Sequence, residues 1–293
     1  MLLLPAVVIA ALVLRNATTP GIERAWPWAG WLAPEGGGAG LGLSEFAVTI
    51  DARPIAGIDS DVSGLTYDPD RGTLFAITNK RPEIIELSLR GDVLRRIPLS
   101  GLEDPEAIEY VGPGRYVVTD ERRQALVELS IDETTTRLDA QGMRQLVIGI
   151  GRNGNKGFEG LAYDRVGDRL FVAKEKSPLR IYEVVGFVAP ENVANRSLQI
   201  LDNPERDAAL AVRDISSLHH DAQSGHLLVL SDDSRAVIEI DGDGRLLGRM
   251  SLTAGEHALS LDVPQAEGMS MDDRGNLYVV SEPNLFYAFS RRN

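Results

Sequence analysis

The chain has 293 residues, 43% of them hydrophobic and 25% charged, with 29 Gly, 15 Pro and no Cys, a composition that excludes disordered, collagenous and disulfide-stapled proteins. Its 43 acidic and 30 basic residues leave a net charge of −13, so the summed field repels phosphate backbones and argues against nucleic acid as a partner. Without Cys there are no thiolate metal sites, Cys nucleophiles or redox motifs.

The first feature along the chain is the uncharged run Leu2–Leu14, LLLPAVVIAALVL, closed by Arg15. A helix of that length rises about 20 Å, short of the roughly 30 Å hydrocarbon core. It reads as a signal-type hydrophobic segment or an uncleaved anchor, although no basic residue precedes it and no small-x-small cleavage site follows it. Trp26, Trp28 and Trp31 come next, a residue type favoured at membrane interfaces and equally suited to packing on a folded body. The Gly-rich stretch 33–42 reads as a linker. The expected division is therefore a membrane anchor or uncleaved signal segment at 1–20, a Trp-containing linker at 21–44 and one folded domain at 45–293. The body would then be tethered to the membrane and exported.

From residue 46 the chain repeats. A short apolar segment with an acidic end recurs as SGLTYD at 63, EAIEYV at 106, EGLAYD at 159, SSLHHD at 216 and EGMSMD at 267. Each is followed by a turn rich in Gly and Asp and then by a second apolar segment: TLFAIT, RYVVT, RLFVAK, HLLVLS and NLYVVS. These are short and rich in β-branched and aromatic residues, as strands prefer. A third segment (EIIELS, ALVELS, RIYEV, AVIEI, LFYAF) completes every unit, and units 1 and 4 add a fourth after a tight turn. Antiparallel units of about this length are the signature of β-propeller blades. The expected fold is all-β, a five-bladed propeller of four-stranded blades, with a six-bladed ring carrying one degenerate blade as the alternative. The last unit lacks a fourth strand, and FAVTID at 46–51 can supply it and close the ring. Residues 185–213 depart furthest from the repeat and read as an elaborated fourth strand and inter-blade loop, with room for a helical turn.

Equivalent residues of successive blades surround one axis, so the repeat places side chains in rings. The first residues of strand one are Ser63, Glu106, Glu159, Ser216 and Glu267, and the residues taken as following strand two are Asn79, Asp120, Glu175, Asp232 and Glu282. Antiparallel pairing brings both sets to one end of the central channel. Carboxylates so gathered raise one another's pKa or take a counter-ion. Oxygen donors without His or Cys suit Ca²⁺, so Glu106, Glu159, Glu267, Asp120, Glu175, Asp232, Glu282 and Asn79 are the candidate metal ligands. The competing reading is an ion-paired ring, because Lys80, Arg122, Lys174, Lys176 and Arg235 are interleaved in the same loops. The strand-three residues Glu86, Glu128, Glu183 and Glu239 read as a solvated outer face. His219 and His220 read as structural histidines with satisfied hydrogen bonds, and Asp241-Gly-Asp243-Gly244 as a hairpin turn rather than half of a calcium-binding EF-hand loop. No nucleophile-base motif occurs, and no catalytic residue is assigned.

The motifs EAIEYV with VVTDER, KGFEGLAYD with VAKEK, LLVLSDDSRA, and PQAEGMSMD with NLYVVSEPNLFYAF resemble those of the SdiA-regulated, or YjiK-like, family of bacterial envelope proteins over about residues 45–290. The resemblance implies a five-bladed propeller behind an N-terminal hydrophobic segment, a bound calcium ion and a periplasmic location, with no established biochemical activity. The family's acidic motifs match here at Glu106, Asp120, Glu121, Glu159, Glu175, Glu267 and Glu282. Two functions remain open at this level. One is a calcium-binding module that presents its acidic mouth to a small molecule or protein at the envelope. The other is a calcium-dependent hydrolase of lactones or esters, with the ion polarising a carbonyl.

Overall fold

A computed structural model of the chain describes residues 40–59, 61–149, 157–188 and 197–292. The run Leu2–Leu14, the three Trp and most of the Gly-rich linker lie outside the described residues. Among the described residues no helix is long and apolar enough to cross a membrane.

Strand β1 (Phe46–Pro54) opens the fold and has no partner in its own part of the chain. The first blade follows as β2 (Val62–Asp68), β3 (Thr73–Thr78), β4 (Glu83–Leu87) and β5 (Val93–Ser100). The second contains β6 (Ile108–Gly112), β7 (Arg115–Asp120) and β8 (Ala125–Ser130). After β8 the chain first leaves the blade, and β9 (Leu138–Asp139) pairs in parallel with β5 before β10 (Gln145–Val147) returns to β8. The third comprises β11 (Phe158–Asp164), β12 (Arg169–Lys174), β13 (Arg180–Val185) and β14 (Gln199–Asp202), and the helix α1 (Pro204–Ala209) leads out of it. The fourth is β15 (Ser217–His220), β16 (Leu227–Ser231), β17 (Ala236–Ile240) and β18 (Leu246–Ser251). The fifth holds β19 (Ala266–Met271), β20 (Leu277–Ser281) and β21 (Leu285–Arg291), and β1 completes it through pairs from Phe46–Arg291 to Pro54–Leu285.

Five hydrophobic clusters occupy the five spaces between neighbouring blades. Phe75 and Ile77 meet Ile108 and Tyr116 between blades 1 and 2, while Leu65 and Leu74 meet Val280 and Phe286 between blades 1 and 5. The other three join blades 2–3, 3–4 and 4–5. Five interfaces for five blades close the ring and exclude the six-bladed alternative. The body reaches back before residue 45, since Leu43 is buried in the cluster between blades 4 and 5.

Close approach at the axis explains the small residues at the second position of strand one: Gly64, Ala107, Gly160, Ser217 and Gly268. A Cβ on Gly64 would stand 2.8 Å from Ala107 Cα and 2.9 Å from Glu106 O, and one on Gly268 would stand 2.9 Å from Gly64 C. The backbones of neighbouring inner strands thus touch where the sequence has no side chain to keep them apart.

The divergent stretch contributes β14, and its helix inserts Arg206, which is only 1% exposed. Arg206 ion-pairs with Glu183 (2.6 Å) and Asp207 (3.2 Å), and its guanidinium also donates to Ile181 O. The turn Asp241–Gly244 is the hairpin between β17 and β18, closed by Gly244 N donating to Asp241 O (3.0 Å), with Gly244 at φ +84°.

The strand-three glutamates do not form a solvated face, contrary to expectation. Glu86 and Glu239 are buried, and each of the four has a fixed partner. Glu86 pairs with Arg95 (2.9 Å), Glu128 with Arg115 (2.6 Å), Glu183 with Arg169 (2.7 Å) and Glu239 with His226 (2.7 Å). Arg115, Arg169 and His226 all stand at the start of strand two, so the polar ring is repeated like the apolar one.

Candidate metal centre

The inner strand of each blade runs along the axis, which places the start of strand one and the end of strand two at the same mouth. Seven of the eight predicted ligands line one recess of about 220 Å³ there: Asn79, Glu106, Glu159, Glu175, Asp232, Glu267 and Glu282. Lys176, Asp214 and Ser216 complete its wall.

Asp120 is the exception. It is fully buried at the end of β7, and its carboxylate accepts from Glu103 N (3.0 Å) and Arg123 N (3.3 Å), which fixes the turn instead of facing the recess. Strand pairing shows the cause, a slip of one residue. Asp120 pairs with Ala125 as Ser231 pairs with Ala236, so the equivalent of Asp232 in blade 2 is Glu121. The backbone agrees. Asn79, Glu121, Glu175 and Glu282 each donate their N–H to the carbonyl two residues before strand one's first position, that of Asp61, Asp104, Gly157 and Gln265 respectively. Glu121 is buried and accepts from Gly157 N (2.8 Å), and its carboxylate lies within 4.8 Å of those of Asp104 and Glu106.

The cations in these loops divide the acidic residues into two groups. Lys80 pairs with Asp61, Arg122 with Asp104 (3.1 Å), and Lys176 with Glu175 (2.8 Å) and Asp233 (2.9 Å), with Asp214 at 4.0 Å. Arg235 turns away to Asp262, and the buried Lys174 donates to the carbonyls of Lys176 and Pro178. Among the described residues no Lys or Arg ion-pairs with Glu106, Glu159 or Glu267. The ion-paired reading therefore holds for the outer carboxylates and fails for the inner three.

The electrostatics follow from that division. Burial pushes Glu106 up to about 7, against the opposing hydrogen bond that Asn79 Nδ2 donates to its Oε1 (3.0 Å). Burial and then repulsion from Glu282, Asp232 and Glu106 push Glu267 up to about 8. Glu159 is driven well above the carboxylate range by burial and by the charges of Glu175, Glu267, Glu106 and Glu121. Burial also raises Glu121, Asp232 and Glu282. The ring thus contains carboxylates that hold protons at neutral pH unless another positive charge replaces them. The donors available to a cation are carboxylate, amide and hydroxyl oxygens, with no His or Cys in the wall, and this set fits a hard divalent ion such as Ca²⁺.

The family profile described as SdiA-regulated matches residues 39–290. Among solved structures the chain is similar to a protein described as a calcium-binding regucalcin from Agrobacterium tumefaciens. The match has a TM-score of 0.52 and 12% identity, and covers 84% of this chain and 93% of that one. It is also similar to a luciferin-regenerating enzyme, with a TM-score of 0.50, 14% identity and coverage of 83% and 80%. At these identities the likeness is one of fold.

Proposed function

This chain belongs to the SdiA-regulated family, and from that premise we propose that it is a membrane-tethered, periplasmic, calcium-binding propeller whose acidic mouth receives a small molecule or protein partner at the cell envelope. The observation that carries the metal reading is the trio Glu106, Glu159 and Glu267, half-buried at one mouth, mutually repelling and without an ion-paired cationic side chain. Glu159 would be the central ligand, flanked by Glu106 and Glu267, with Glu175, Asp232, Glu282, Asn79 and Glu121 supplying further oxygens. The description of the regucalcin-like neighbour as calcium-binding is consistent with this reading. The hydrophobic run Leu2–Leu14 supports the tether. Leu41 lies at the rim of the opposite mouth, where its N–H donates to Glu239, so a tether arriving there leaves the acidic mouth facing away from the membrane.

The test is calorimetric titration of ion-free protein with Ca²⁺ and Mg²⁺. The expected result is a binding heat for Ca²⁺, a weaker one for Mg²⁺, and an affinity loss of about 100-fold or more in Glu159→Gln. Because Glu106 and Glu267 release protons on binding, the measured heat depends on the buffer, and affinity rises from pH 6 to pH 9. Equal, negligible heats for native protein and variant would remove the metal site. The calcium-loaded and chelated samples are also assayed against a lactone and an ester. Chelator-sensitive turnover would replace the binding reading by a calcium-dependent hydrolase.

Lys176 supplies a separate prediction. Its ammonium, 31% exposed, holds positive charge against Glu175 and Asp214 and so competes with an incoming cation. Lys176→Met is expected to tighten Ca²⁺ binding by about three- to tenfold at low salt, with the gain shrinking as salt screens the site. Unchanged or weaker binding in the same titration would show that Lys176 does not oppose the ion.

A further inference from the structure

The channel has a second opening. Within β11 the four-residue step from Glu159 to Tyr163 spans about 13 Å, so the far ends of the inner strands form a separate mouth. A cavity of about 710 Å³ lies there, three times the acidic recess and within the range of small-molecule pockets. Tyr67, Tyr110 and Tyr163, from three successive blades, line one side, and Glu109 and His219 come from the strand-one position before them.

Hydrogen bonding at this mouth is incompletely used. Thr66 Oγ1 accepts from Tyr110 N (3.0 Å), Glu109 Oε1 from Tyr163 N (3.1 Å) and Ser270 Oγ from Tyr67 N (2.9 Å), so three strand-one side chains stitch blades together. His219 has no hydrogen-bond partner among the described residues. His220, only 9% exposed, stacks on Phe171 with ring centroids 5.6 Å apart, and its buried Nδ1 has no partner. The expectation of two satisfied structural histidines thus fails.

The charge at this mouth is balanced. Arg165, Arg274 and Arg291 line the cavity together with Asp221, Asp272 and Asp273. Arg165 is spread over the Tyr110 ring at 4.6 Å. Burial raises Glu109 to about 8, against the hydrogen bonds from Thr66 and Tyr163, and lowers His219 to about 4, which favours the neutral form of each. Both Glu109 oxygens are engaged, Oε1 by Tyr163 N and Oε2 by Thr66 Oγ1 (3.0 Å), so the floor offers the His219 imidazole as the group able both to donate and to accept. A charged ligand would meet charges of both signs in the lining and lose its hydration with no net opposite charge in return. A hydroxyl group matches both functions, and aromatic walls accept the C–H faces of a ring.

We infer that this wide mouth is a second binding site, for a neutral, hydroxyl-rich molecule of the size of a disaccharide, with His219 as a polar anchor and Tyr67 and Tyr163 in its wall. The site shares no residue with the acidic recess, so its test stands whether or not a cation binds there.

Saturation-transfer NMR and calorimetry on the full chain would use cellobiose, maltose and N,N′-diacetylchitobiose as probes, with citrate and spermidine as charged comparators. At least one neutral disaccharide is expected to bind with a dissociation constant of about 1 mM or tighter. His219→Ala and Tyr67→Ala, each checked for folding by circular dichroism, are expected to weaken it about tenfold. Leu94→Ser, on the exposed outer strand β5 and outside both mouths, is expected to change it less than about twofold. The proposal is overturned if no neutral disaccharide binds at about 10 mM, if binding survives both wide-mouth substitutions, or if only the charged comparators bind.

Discussion

In ion-free protein at pH 9, Glu106→Gln/Glu267→Gln is expected to melt about 5–10 °C above the native chain, and at about pH 4 the two are expected to melt together. Both carboxyls have a folded pKa above the 4.5 of the unfolded chain, about 7 and about 8. The folded state therefore binds more protons between those values, and its stability is full below about pH 4.5 and falls as pH rises through 7 and 8. Ionising Glu106 in place costs roughly 3–4 kcal/mol, at about 1.4 kcal/mol for each pH unit between the two values. Glutamine keeps the shape, and its amide oxygen can still accept from Asn79, but it carries no charge. The same variant is expected to lose the stabilisation that Ca²⁺ gives the native protein, so one substitution raises stability without the ion and lowers it with the ion. Melting curves by differential scanning calorimetry across pH, with and without Ca²⁺, check both halves. A variant that melts below the native chain at pH 9 without calcium would mean that these carboxylates are already compensated.

The second large effect is expected at Gly64. A methyl group there would press on Ala107 Cα at 2.8 Å and on the backbone of Glu106 and Ile108 at 2.9 Å, none of which can rotate away. Relief requires blades 1 and 2 to separate at the axis, and Gly64→Ala is expected to cost about 1–3 kcal/mol, seen as a lower melting temperature. Because Glu106 belongs to the displaced segment, Ca²⁺ affinity is expected to fall as well, although the substituted residue carries no ligand. Ala107→Gly, at the equivalent position of the next blade, relieves no contact and is expected to cost about 1 kcal/mol or less through backbone entropy. If Gly64→Ala melts with the native chain, the small residues at this position do not set the radius of the ring.

Most of the architecture was legible because the repeat is strong where strands are shared by all blades. The order of elements, the number of blades and the closing role of FAVTID follow from it, and so do seven of the eight ring residues. The misplaced residue shows its limit. In VVTDER and VLSDDS the two aspartates align by identity, yet Asp120 belongs to the strand and Glu121 to the turn. A slip of one residue in a strand moves a side chain to the other face. The anchored strand-three glutamates had an available signal, Arg115, Arg169 and His226 at the start of strand two in three units. Reading strand three alone left them without partners. The wide mouth had no such signal. Its residues come from the ends of strand one and from turns whose composition differs in every blade, Tyr in three, His220 in the fourth and Met271 in the fifth.

Ring closure through β1 also determines how the protein is made. Phe46 pairs with Arg291, so the first of the described strands to leave the ribosome waits for the last of them. Until then its edge hydrogen bonds are open, the space between blades 4 and 5 lacks Tyr287 and Phe289, and the space between blades 5 and 1 lacks Phe286 and Ala288. Blades 1 to 4 can assemble during synthesis, whereas the final docking is the most non-local event in the chain and the slowest to find. A chain cut short before β21 would present two unfilled apolar faces and an unpaired strand, a form that invites aggregation.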